Sequence, residues 1–323
     1  MAPEQTILVV DGPALTIIPE FYYEMISEEF SFVRLSDFET IPEKYVNNIE
    51  GILLFPATRL NLSEDFIRRF PKLKVIANHG VGVNHIDIPL LRKHKIKLSN
   101  TPKVLSDACA DHAFLLILAS ARRLKEALDI TTGLKSLTFL GTDVFHMTLG
   151  IMGMGDIGLK VAERSKGFKM KVLYYNRNRR PEEDECRVGA VYCSSLATLL
   201  PQVDFLVICA PLTPETHKCI GAKELSSMKS TAILINASRG GIVDTDALVE
   251  ALKDGTIRAA ALDATDPEPL PECHPLRDMP NVIITPHMST GTVQARSAMI
   301  RLCLRNLKAG LEDKPMPTEV YSN

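Results

Sequence analysis

The sequence has no tryptophan, no Cys-x-x-Cys pair and no regular cysteine spacing. Seven cysteines are scattered along its 323 residues: Cys109, Cys186, Cys193, Cys209, Cys219, Cys273 and Cys303. An odd, unpatterned set in a chain of this length is typical of reduced thiols and argues against a disulfide framework. The same scatter argues against a metal site, so we expect no metal ion.

An excess of positive charge is also lacking. Lys and Arg total 37 against 39 Asp and Glu, a formal net charge of −2, so we expect neither nucleic acid nor a membrane as a partner. No apolar run approaches the roughly 20 residues that span a bilayer. Residues 1–5 show no signal-peptide pattern, and residues 321–323 match no targeting tripeptide. We therefore expect a soluble cytoplasmic protein.

Short apolar runs alternate with amphipathic helical patterns, which predicts an α/β fold with parallel sheets. Hydrophobic residues make up 46% of the chain and charged residues 24%, which excludes a disordered protein, and the length suits two domains. In the first part of the chain we predict strands at 7–10, 51–55 and 74–77 and helices at 64–70 and 88–93. This part is typical of a small doubly wound unit without a glycine-rich phosphate loop.

The pair Thr101-Pro102 interrupts this pattern, and one long helix is predicted over 104–128, followed by a loop over 129–147. A second doubly wound unit follows. Its helices include 156–166 and 245–253, and its strands are predicted at 148–152, 171–174, 204–209, 232–235, 259–262 and 282–285. Six strands with intervening helices are typical of a dinucleotide-binding fold. A last helix is predicted over 292–311.

The most specific local pattern is Gly153-Met154-Gly155-Asp156-Ile157-Gly158, a G-x-G-x-x-G between a predicted strand and a predicted helix. Gly153 permits a tight turn, Gly155 lets the backbone approach a pyrophosphate, and Gly158 lets helix and strand pack closely. The first N–H groups of the helix, at Asp156 and Ile157, favour phosphate binding. The pattern predicts a dinucleotide cofactor. A glycine-rich turn without function is the alternative.

The residues after the second strand of this unit indicate which dinucleotide binds. An NAD-binding chain usually carries an acid there, which bonds the ribose hydroxyls and repels a 2′-phosphate. This chain reads Tyr175-Asn176-Arg177-Asn178-Arg179-Arg180. Asn176 removes the repulsion, Arg177 offers a fork to a phosphate, and Arg179 or Arg180 offers a second contact. We predict NADP(H) as the preferred cofactor and NAD(H) as the weaker one. Pairing of the arginines with the acids at 182–185 is the alternative.

Three reactive side chains follow the ends of three later strands: Arg239, Glu268 and His287. Ligands of open α/β sheets bind outside the carboxyl ends of the strands, so we expect these side chains to converge. Arginine clamps a carboxylate, histidine delivers a proton near neutral pH, and a carboxylate orients the histidine ring. Together they fit the reduction of a 2-keto acid.

Each of the three also has a structural alternative when taken singly. Arg239 can bond backbone carbonyls in a turn, Glu268 can be solvated in its Pro-rich loop, and His287 can be a hydrogen-bonded loop residue. His112, within the predicted long helix, is interpreted as a packing or interface residue. The catalytic interpretation rests on the three residues occurring together behind a dinucleotide fingerprint.

Several further motifs lie along nearly the whole chain: Gly80-Val81-Gly82-Val83-Asn84-His85-Ile86-Asp87, Asn100-Thr101-Pro102, Asn236-Ala237-Ser238-Arg239-Gly240, Leu262-Asp263 with Glu268-Pro269, and Pro286-His287. With these motifs and the glycine fingerprint, the chain resembles the D-isomer-specific 2-hydroxyacid dehydrogenases. Within that family it looks most like the glyoxylate and hydroxypyruvate reductases, on the strength of residues 177, 180–183 and 267–276.

The resemblance implies two doubly wound parallel-sheet, Rossmann-like domains with an active-site cleft between them. Residues 1–103 plus 290–323 would form the substrate-binding (catalytic) domain, and residues 104–289 the NAD(P)-binding Rossmann domain. The backbone amides of Val81 and Gly82 would bind the substrate carboxylate beside Arg239. The remaining cofactor contacts would fall on Asn178, Ala210, Pro211, Ala237, Asp263 and His287. Enzymes of this family are usually homodimers through the cofactor domain.

The chain departs from the family pattern at Asn84, where Asp is common, and at Ser289, where a glycine is usual. These departures leave the catalytic trio intact but affect the expected substrate pocket. We predict NADPH-dependent reduction of glyoxylate to glycolate and of hydroxypyruvate to D-glycerate, with 2-ketogluconate as an alternative substrate.

Two other functions stay open. One is a nucleotide-sensing scaffold of the same fold, similar to the C-terminal-binding-protein co-repressors, although the chain lacks long disordered tails. The other is an NAD-linked dehydrogenase of the D-3-phosphoglycerate type, against which the missing acid at position 176 argues.

Overall fold

A computed structural model describes residues 5–11, 19–55, 62–129 and 139–321. The chain divides into two compact units, which we call unit 1 (Met1–Leu105 with Thr292–Asn323) and unit 2 (Ser106–Gly291). Of the loop predicted over 129–147, residues 130–138 lie outside the described residues, as do most of the N-terminal segment 1–5 and residues 322–323.

Most strands in the described residues are short and buried, as expected for parallel sheets covered on both faces. They are β1 (Thr6–Val10), β2 (Ser31–Arg34), β3 (Ile49–Leu54), β4 (Val75–Asn78), β5 (Lys97–Ser99), β6 (Thr148–Met152), β7 (Lys171–Tyr175), β8 (Ala190–Tyr192), β9 (Phe205–Ile208), β10 (Ile233–Asn236), β11 (Ala259–Leu262) and β12 (Val282–Ile284).

The α-helices of the described residues alternate with these strands. They are α1 (Glu20–Ser27), α2 (Leu35–Thr40), α3 (Pro42–Tyr45), α4 (Glu64–Arg68), α5 (Ile88–Lys93), α6 (Ser106–Ala121), α7 (Leu124–Asp129), α8 (Asp156–Ser165), α9 (Glu182–Val188), α10 (Leu196–Leu199), α11 (Ala222–Ser227), α12 (Thr245–Lys253), α13 (Pro275–Asp278) and α14 (Val293–Leu311). Short 3-10 turns cover 166–168, 200–202 and 240–242.

Unit 1 is a five-stranded parallel sheet in the order β2-β1-β3-β4-β5. Because successive side chains of a strand point to opposite faces, β1 contributes to two cores. Ile7 and Val9 pack with α1 and α14, whereas Leu8 and Val10 pack with α2, α4 and α5. Both faces of the sheet are therefore covered by helices, and the last helix of the chain completes one of them.

Unit 2 is a seven-stranded parallel sheet in the order β12-β11-β10-β9-β6-β7-β8. Counted within the unit, six of these strands follow the 3-2-1-4-5-6 order of dinucleotide-binding folds, and β12 adds a seventh. The order reverses between β6 and β9, the position at which such sheets bind ligands. The predicted α/β class with two doubly wound parallel sheets is confirmed.

The helix predicted over 104–128 is wrong as a single element. The structure has two helices, α6 and α7, separated at Arg122 and Arg123. Arg123 has a φ of 54°, which an α-helix does not accommodate. Its guanidinium bonds Glu126, with Nε donating to Oε1 at 2.9 Å, and so holds the bend.

The strands missed from sequence are β2, β5 and β8, which lie at the sheet edges. Each has only three or four residues, too few to show a clear alternation. Unit 2 therefore has seven strands rather than the predicted six. No helix in the described part of the chain is long and apolar enough to cross a membrane.

Candidate active site

The glycine fingerprint forms the turn between β6 and α8, at the carboxyl edge of the unit 2 sheet. Gly153 has a φ of +94°, and a Cβ there would lie 2.4 Å from the Ala210 backbone nitrogen. A Cβ on Gly158 would lie 2.5 Å from the Gly153 carbonyl oxygen. Protein packing thus requires glycine at both positions.

Gly155 differs from the other two glycines, because a Cβ added to it would meet no described atom within 4 Å. It is the N-cap of α8, and no side chain caps the helix. Asp156 and Ile157 open the first turn, so their N–H groups have no partner within the helix. Free space, unpaired amides and the positive end of a helix dipole fit the pyrophosphate of a dinucleotide.

Asn176 follows β7 and is bonded to the fingerprint. Its Oδ1 accepts a hydrogen bond from the Met154 N–H at 2.6 Å, and its carbonyl accepts one from the Tyr192 hydroxyl at 3.2 Å. The residue that stands where an acid is usual in NAD-binding chains therefore supports the phosphate turn.

Two of the three arginines after Asn176 pair with acidic residues. Arg179 bonds Glu185 through Nε at 2.8 Å and Nη2 at 2.7 Å, and this arginine lowers the pKa of the nearly buried Glu185 carboxyl to about 2, with help from the Tyr174 hydroxyl. Arg180 donates from Nη2 to Asp184 Oδ2 at 2.6 Å. Pairing within the loop, the alternative interpretation from sequence, therefore describes these two side chains in the structure.

Arg177 and Asn178 are exposed at the start of the same loop. Within the described residues Arg177 makes no hydrogen bond or ion pair, and its charge acts on Glu215, whose pKa is lowered chiefly by a hydrogen bond from Thr213. Next to the end of β7, the loop therefore presents the exposed Arg177 guanidinium, which has no hydrogen-bond or ion-pair partner among the described residues.

Arg239 follows β10, directly before a tight turn against the loop after β11. A Cβ on Gly240 would lie 2.0 Å from the Thr265 carbonyl carbon, so only glycine lets the two loops come this close. Burial lowers the pKa of the Arg239 guanidinium, and the Glu268 carboxylate opposes that shift. Arg239 also donates from Nη1 to the Ser238 carbonyl at 2.8 Å.

His287 and Glu268 form a direct pair. His287 Nδ1 lies 2.7 Å from Glu268 Oε1, and both side chains are about two-fifths exposed, at 41% and 42%. The pair leaves His287 Nε2 for a second partner. The structure therefore brings all three predicted catalytic residues to one edge of the unit 2 sheet, with Glu268 acting on both others.

Asp263, at the end of β11, is buried, with 2% of its surface exposed. Its Oδ1 accepts hydrogen bonds from Thr285 Oγ1 at 2.6 Å and the Met288 N–H at 2.8 Å. Its Oδ2 accepts from the N–H of Ser289 at 2.9 Å and from the Ser289 hydroxyl. Burial raises the pKa of this carboxyl, but hydrogen bonds from His112, Ser289 and Thr285 outweigh burial and hold it below the ordinary value.

The remaining predicted cofactor residues lie at the ends of β9 and β10. Ala210 is buried, Pro211 is exposed and Ala237 is half-buried. The Ser238 hydroxyl donates to the Ala210 carbonyl at 2.5 Å and ties the two strand ends together. In the described residues no group of three or more His, Cys, Asp or Glu side chains could hold a metal ion.

Val81 and Gly82 lie in a loop of unit 1 after β4. The Asn100 side chain donates to the Val81 carbonyl at 2.9 Å, and the Asn78 side chain donates to the Gly82 carbonyl at 3.2 Å. With the carbonyls held in this way, the N–H groups of Val81 and Gly82 bond no described group. Such paired amides suit a carboxylate.

Sequence reasoning missed the roles of His112, Thr285 and Ser289 around Asp263. His112 was interpreted as a packing residue, but its Nε2 lies 3.2 Å from Asp263 Oδ1. A buried histidine on an otherwise apolar helix face was the available signal. Thr285 carried no signal of its own, and Ser289 was noticed only as a departure from the family pattern.

Comparison with known proteins places this site in context. The family model described as "D-isomer specific 2-hydroxyacid dehydrogenase, NAD binding domain" matches residues 114–289. The glyoxylate reductase of Thermococcus gammatolerans is 39% identical over 316 residues, covering 94% of this chain and 93% of the relative. Glyoxylate/hydroxypyruvate reductase B of Pectobacterium atrosepticum is 40% identical over 292 residues, covering 88% and 90%.

A solved structure is also similar. It is an NADPH-dependent glyoxylate/hydroxypyruvate reductase from Sinorhizobium meliloti in complex with NADP and malonate. It has a TM-score of 0.84 and 32% sequence identity, and the match covers 98% of this chain and 97% of that one. The likeness therefore extends over both units.

Proposed function

Because the chain belongs to the D-isomer-specific 2-hydroxyacid dehydrogenase family, and so binds NAD(P)(H), we propose that it is an NADPH-preferring reductase of small 2-keto acids, with glyoxylate and hydroxypyruvate as substrates. The observation that carries the proposal is the 2.7 Å pair of His287 and Glu268 beside Arg239 in the unit that holds the dinucleotide fingerprint. The names of the relatives support the same substrates.

The residues divide the reaction between them. A dinucleotide held by the fingerprint turn and the first amides of α8 would supply the hydride for the carbonyl carbon. Arg239 holds the carboxylate of the substrate through two N–H groups. His287 gives its Nε2 proton to the carbonyl oxygen, while Glu268 keeps the ring oriented and stabilises its protonated form. We propose that unit 1, which carries the Val81 and Gly82 amides, is the substrate-binding domain and that unit 2, which carries the glycine fingerprint, is the cofactor domain.

The preference for NADPH rests on Arg177 and Asn176. Arg177 is the exposed and uncommitted guanidinium at the end of β7, and Asn176 adds no negative charge there. A 2′-phosphate would therefore meet one arginine and no acid, with Asn178 next to it. The family's usual assembly leads us to propose a homodimer as well.

Steady-state kinetics with each cofactor test this preference. We expect a higher kcat/KM for NADPH than for NADH with glyoxylate. Asn176→Asp should reverse the preference, because aspartate still accepts the Met154 N–H but repels a 2′-phosphate. An unchanged preference in this variant, or a wild-type preference for NADH, contradicts the proposal.

Replacement of Arg177 gives a second test. Loss of a charge-assisted phosphate contact in Arg177→Gln should lower kcat/KM for NADPH about ten- to hundredfold and leave the value for NADH unchanged. Arg187→Gln is the matched control, since Arg187 is half exposed but pairs with Asp184 and Glu163. Equal effects of the two substitutions would show that Arg177 does not bind the 2′-phosphate of NADPH.

A further inference from the structure

The polar cluster around Asp263 contains a buried histidine that the proposed reaction does not use. His112 lies on α6 and is 7% exposed. Its Nε2 is 3.2 Å from Asp263 Oδ1 and 3.2 Å from Thr285 Oγ1. A buried imidazole with two oxygen partners is a specific arrangement rather than apolar packing.

The position of the protons in this cluster follows from the donors available. Hydrogen bonds from several neighbours keep Asp263 ionised, so its carboxylate only accepts. The Thr285 hydroxyl has one proton, which it donates to Asp263 Oδ1 at 2.6 Å. Thr285 Oγ1 can then only accept from His112. His112 must therefore carry its proton on Nε2 and donate to both oxygens.

The same carboxylate bonds residues on both sides of His287: the Thr285 side chain before it and the Met288 and Ser289 backbone after it. Thr285 precedes His287, and the His287 N–H donates to the Thr285 carbonyl at 3.0 Å. Met288 and Ser289 follow it, and both donate their N–H groups to Asp263. His287 itself has a φ of 51°, a left-handed conformation that is uncommon for residues other than glycine and that persists where the surroundings hold it.

We infer that His112 is a positioning residue, which holds Asp263 so that Asp263, Thr285 and Ser289 keep His287 in the left-handed conformation from which its ring reaches Glu268. Ser289 contributes twice, through its N–H and its hydroxyl. This inference rests on the proposed function, because it assigns His287 a catalytic position to be maintained. The residues involved all lie in unit 2.

The test compares a substitution that removes the donor with one that keeps it. His112→Phe should lower kcat for glyoxylate reduction about ten- to hundredfold, because a displaced catalytic group loses its alignment. KM for glyoxylate and the calorimetric Kd for NADPH should stay close to the wild-type values. His112→Gln should restore kcat, since its Nε2 can donate from nearly the same place.

Thr285→Val is the second variant, in case the aromatic replacement does not fold. It removes one donor to Asp263 at nearly constant volume and should lower kcat in the same way. Asp111→Asn is the control on the same helix, because Asp111 is 70% exposed and pairs with Arg164. It should leave kcat unchanged.

A readout without turnover separates this inference from the proposed function. In protein with ¹⁵N-labelled histidine, the His112 ring should show a proton on Nε2. The His287 ring signal, assigned with His287→Asn, should move in His112→Phe and stay in His112→Gln. Unchanged kcat in His112→Phe, equal loss in both His112 variants, or a parallel loss of NADPH affinity overturns the positioning role. Absence of any 2-keto acid reduction by the wild-type protein overturns the proposed function instead.

Discussion

His287 combines an unfavourable backbone with a reactive side chain. Its left-handed φ of 51° places it among the few non-glycine residues of that kind in the described chain. Such conformations cost about 1–3 kcal/mol and persist where the surroundings over-determine them. Two contacts supply that support. His287 Nδ1 lies 2.7 Å from Glu268 Oε1, and Asp263 accepts a hydrogen bond from the N–H of Met288, the next residue in the chain.

Replacement of His287 should stop the chemistry without disturbing cofactor binding. His287→Asn is the suitable change, because asparagine tolerates the left-handed region. We expect kcat to fall about 10²- to 10⁴-fold, the usual loss of a general acid, with the Kd of NADPH unchanged. Kinetics and calorimetry measure the two quantities.

Glu268→Gln should have a smaller effect than His287→Asn. The amide still accepts a hydrogen bond from His287 Nδ1, but it no longer stabilises a protonated ring. A loss of kcat as large as that of His287→Asn would show that Glu268 does more than support the histidine. Near-normal turnover in His287→Asn would show that His287 is not the proton donor.

Residue type and strand position together made the three catalytic residues predictable. The hydrogen-bond partners of individual side chains could not be predicted in this way. Arg239, Glu268 and His287 were expected at one sheet edge because each follows a strand of a parallel sheet. The pairing of Arg179 with Glu185 and the bond of His112 to Asp263 depend on rotamers and on chain segments far apart in sequence. Only the folded structure decides between such partners.

At the scale of elements, apolar runs located the inner strands and β12 but missed the other three edge strands, β2, β5 and β8. The strands β6 and β11 were predicted with the ends that the structure shows, since both are buried on two faces. By contrast, β8 is three residues long with one exposed position. An edge strand buries one side of a short segment and leaves little hydrophobic pattern to detect.

Helix ends without glycine or proline were equally hard to predict. The break between α6 and α7 falls at Arg122 and Arg123, two good helix formers. Contacts made by Arg123 with Glu126 and with the Phe139 ring stabilise the bend. Tertiary contacts therefore overrode local propensity at this position.

At the scale of the whole molecule, buried titratable groups link folding to pH. His79 is 3% exposed, and burial, reinforced by the charge of Arg296, lowers its pKa from 6.5 to about 4. Between these two pH values the unfolded chain binds a proton that the folded chain excludes. Stability therefore rises with pH across this window and is lost as pH falls through it.

The His79 effect can be measured by urea unfolding at pH 7 and pH 5. We expect His79→Gln to reduce the difference in unfolding free energy between the two conditions by about 2 kcal/mol. His217→Gln, a substitution of an exposed histidine, should keep the wild-type difference. An unaltered pH dependence in His79→Gln would mean that His79 is protonated in the folded protein.

The packing of α14 sets the order in which the two units can mature during synthesis. Ile300, Leu304 and Leu307 of this helix belong to the core beneath β1 and β4 of unit 1, yet α14 leaves the ribosome after all of unit 2. Until then α1 is the only one of the two helices on that face, α1 and α14, that is available to cover the first sheet there, whereas all of unit 2 has already been synthesised. The unit translated second would therefore finish first, and protease digestion of nascent chains that end at residue 292, followed by a linker long enough to fill the ribosome exit tunnel, should cut unit 1 and spare unit 2.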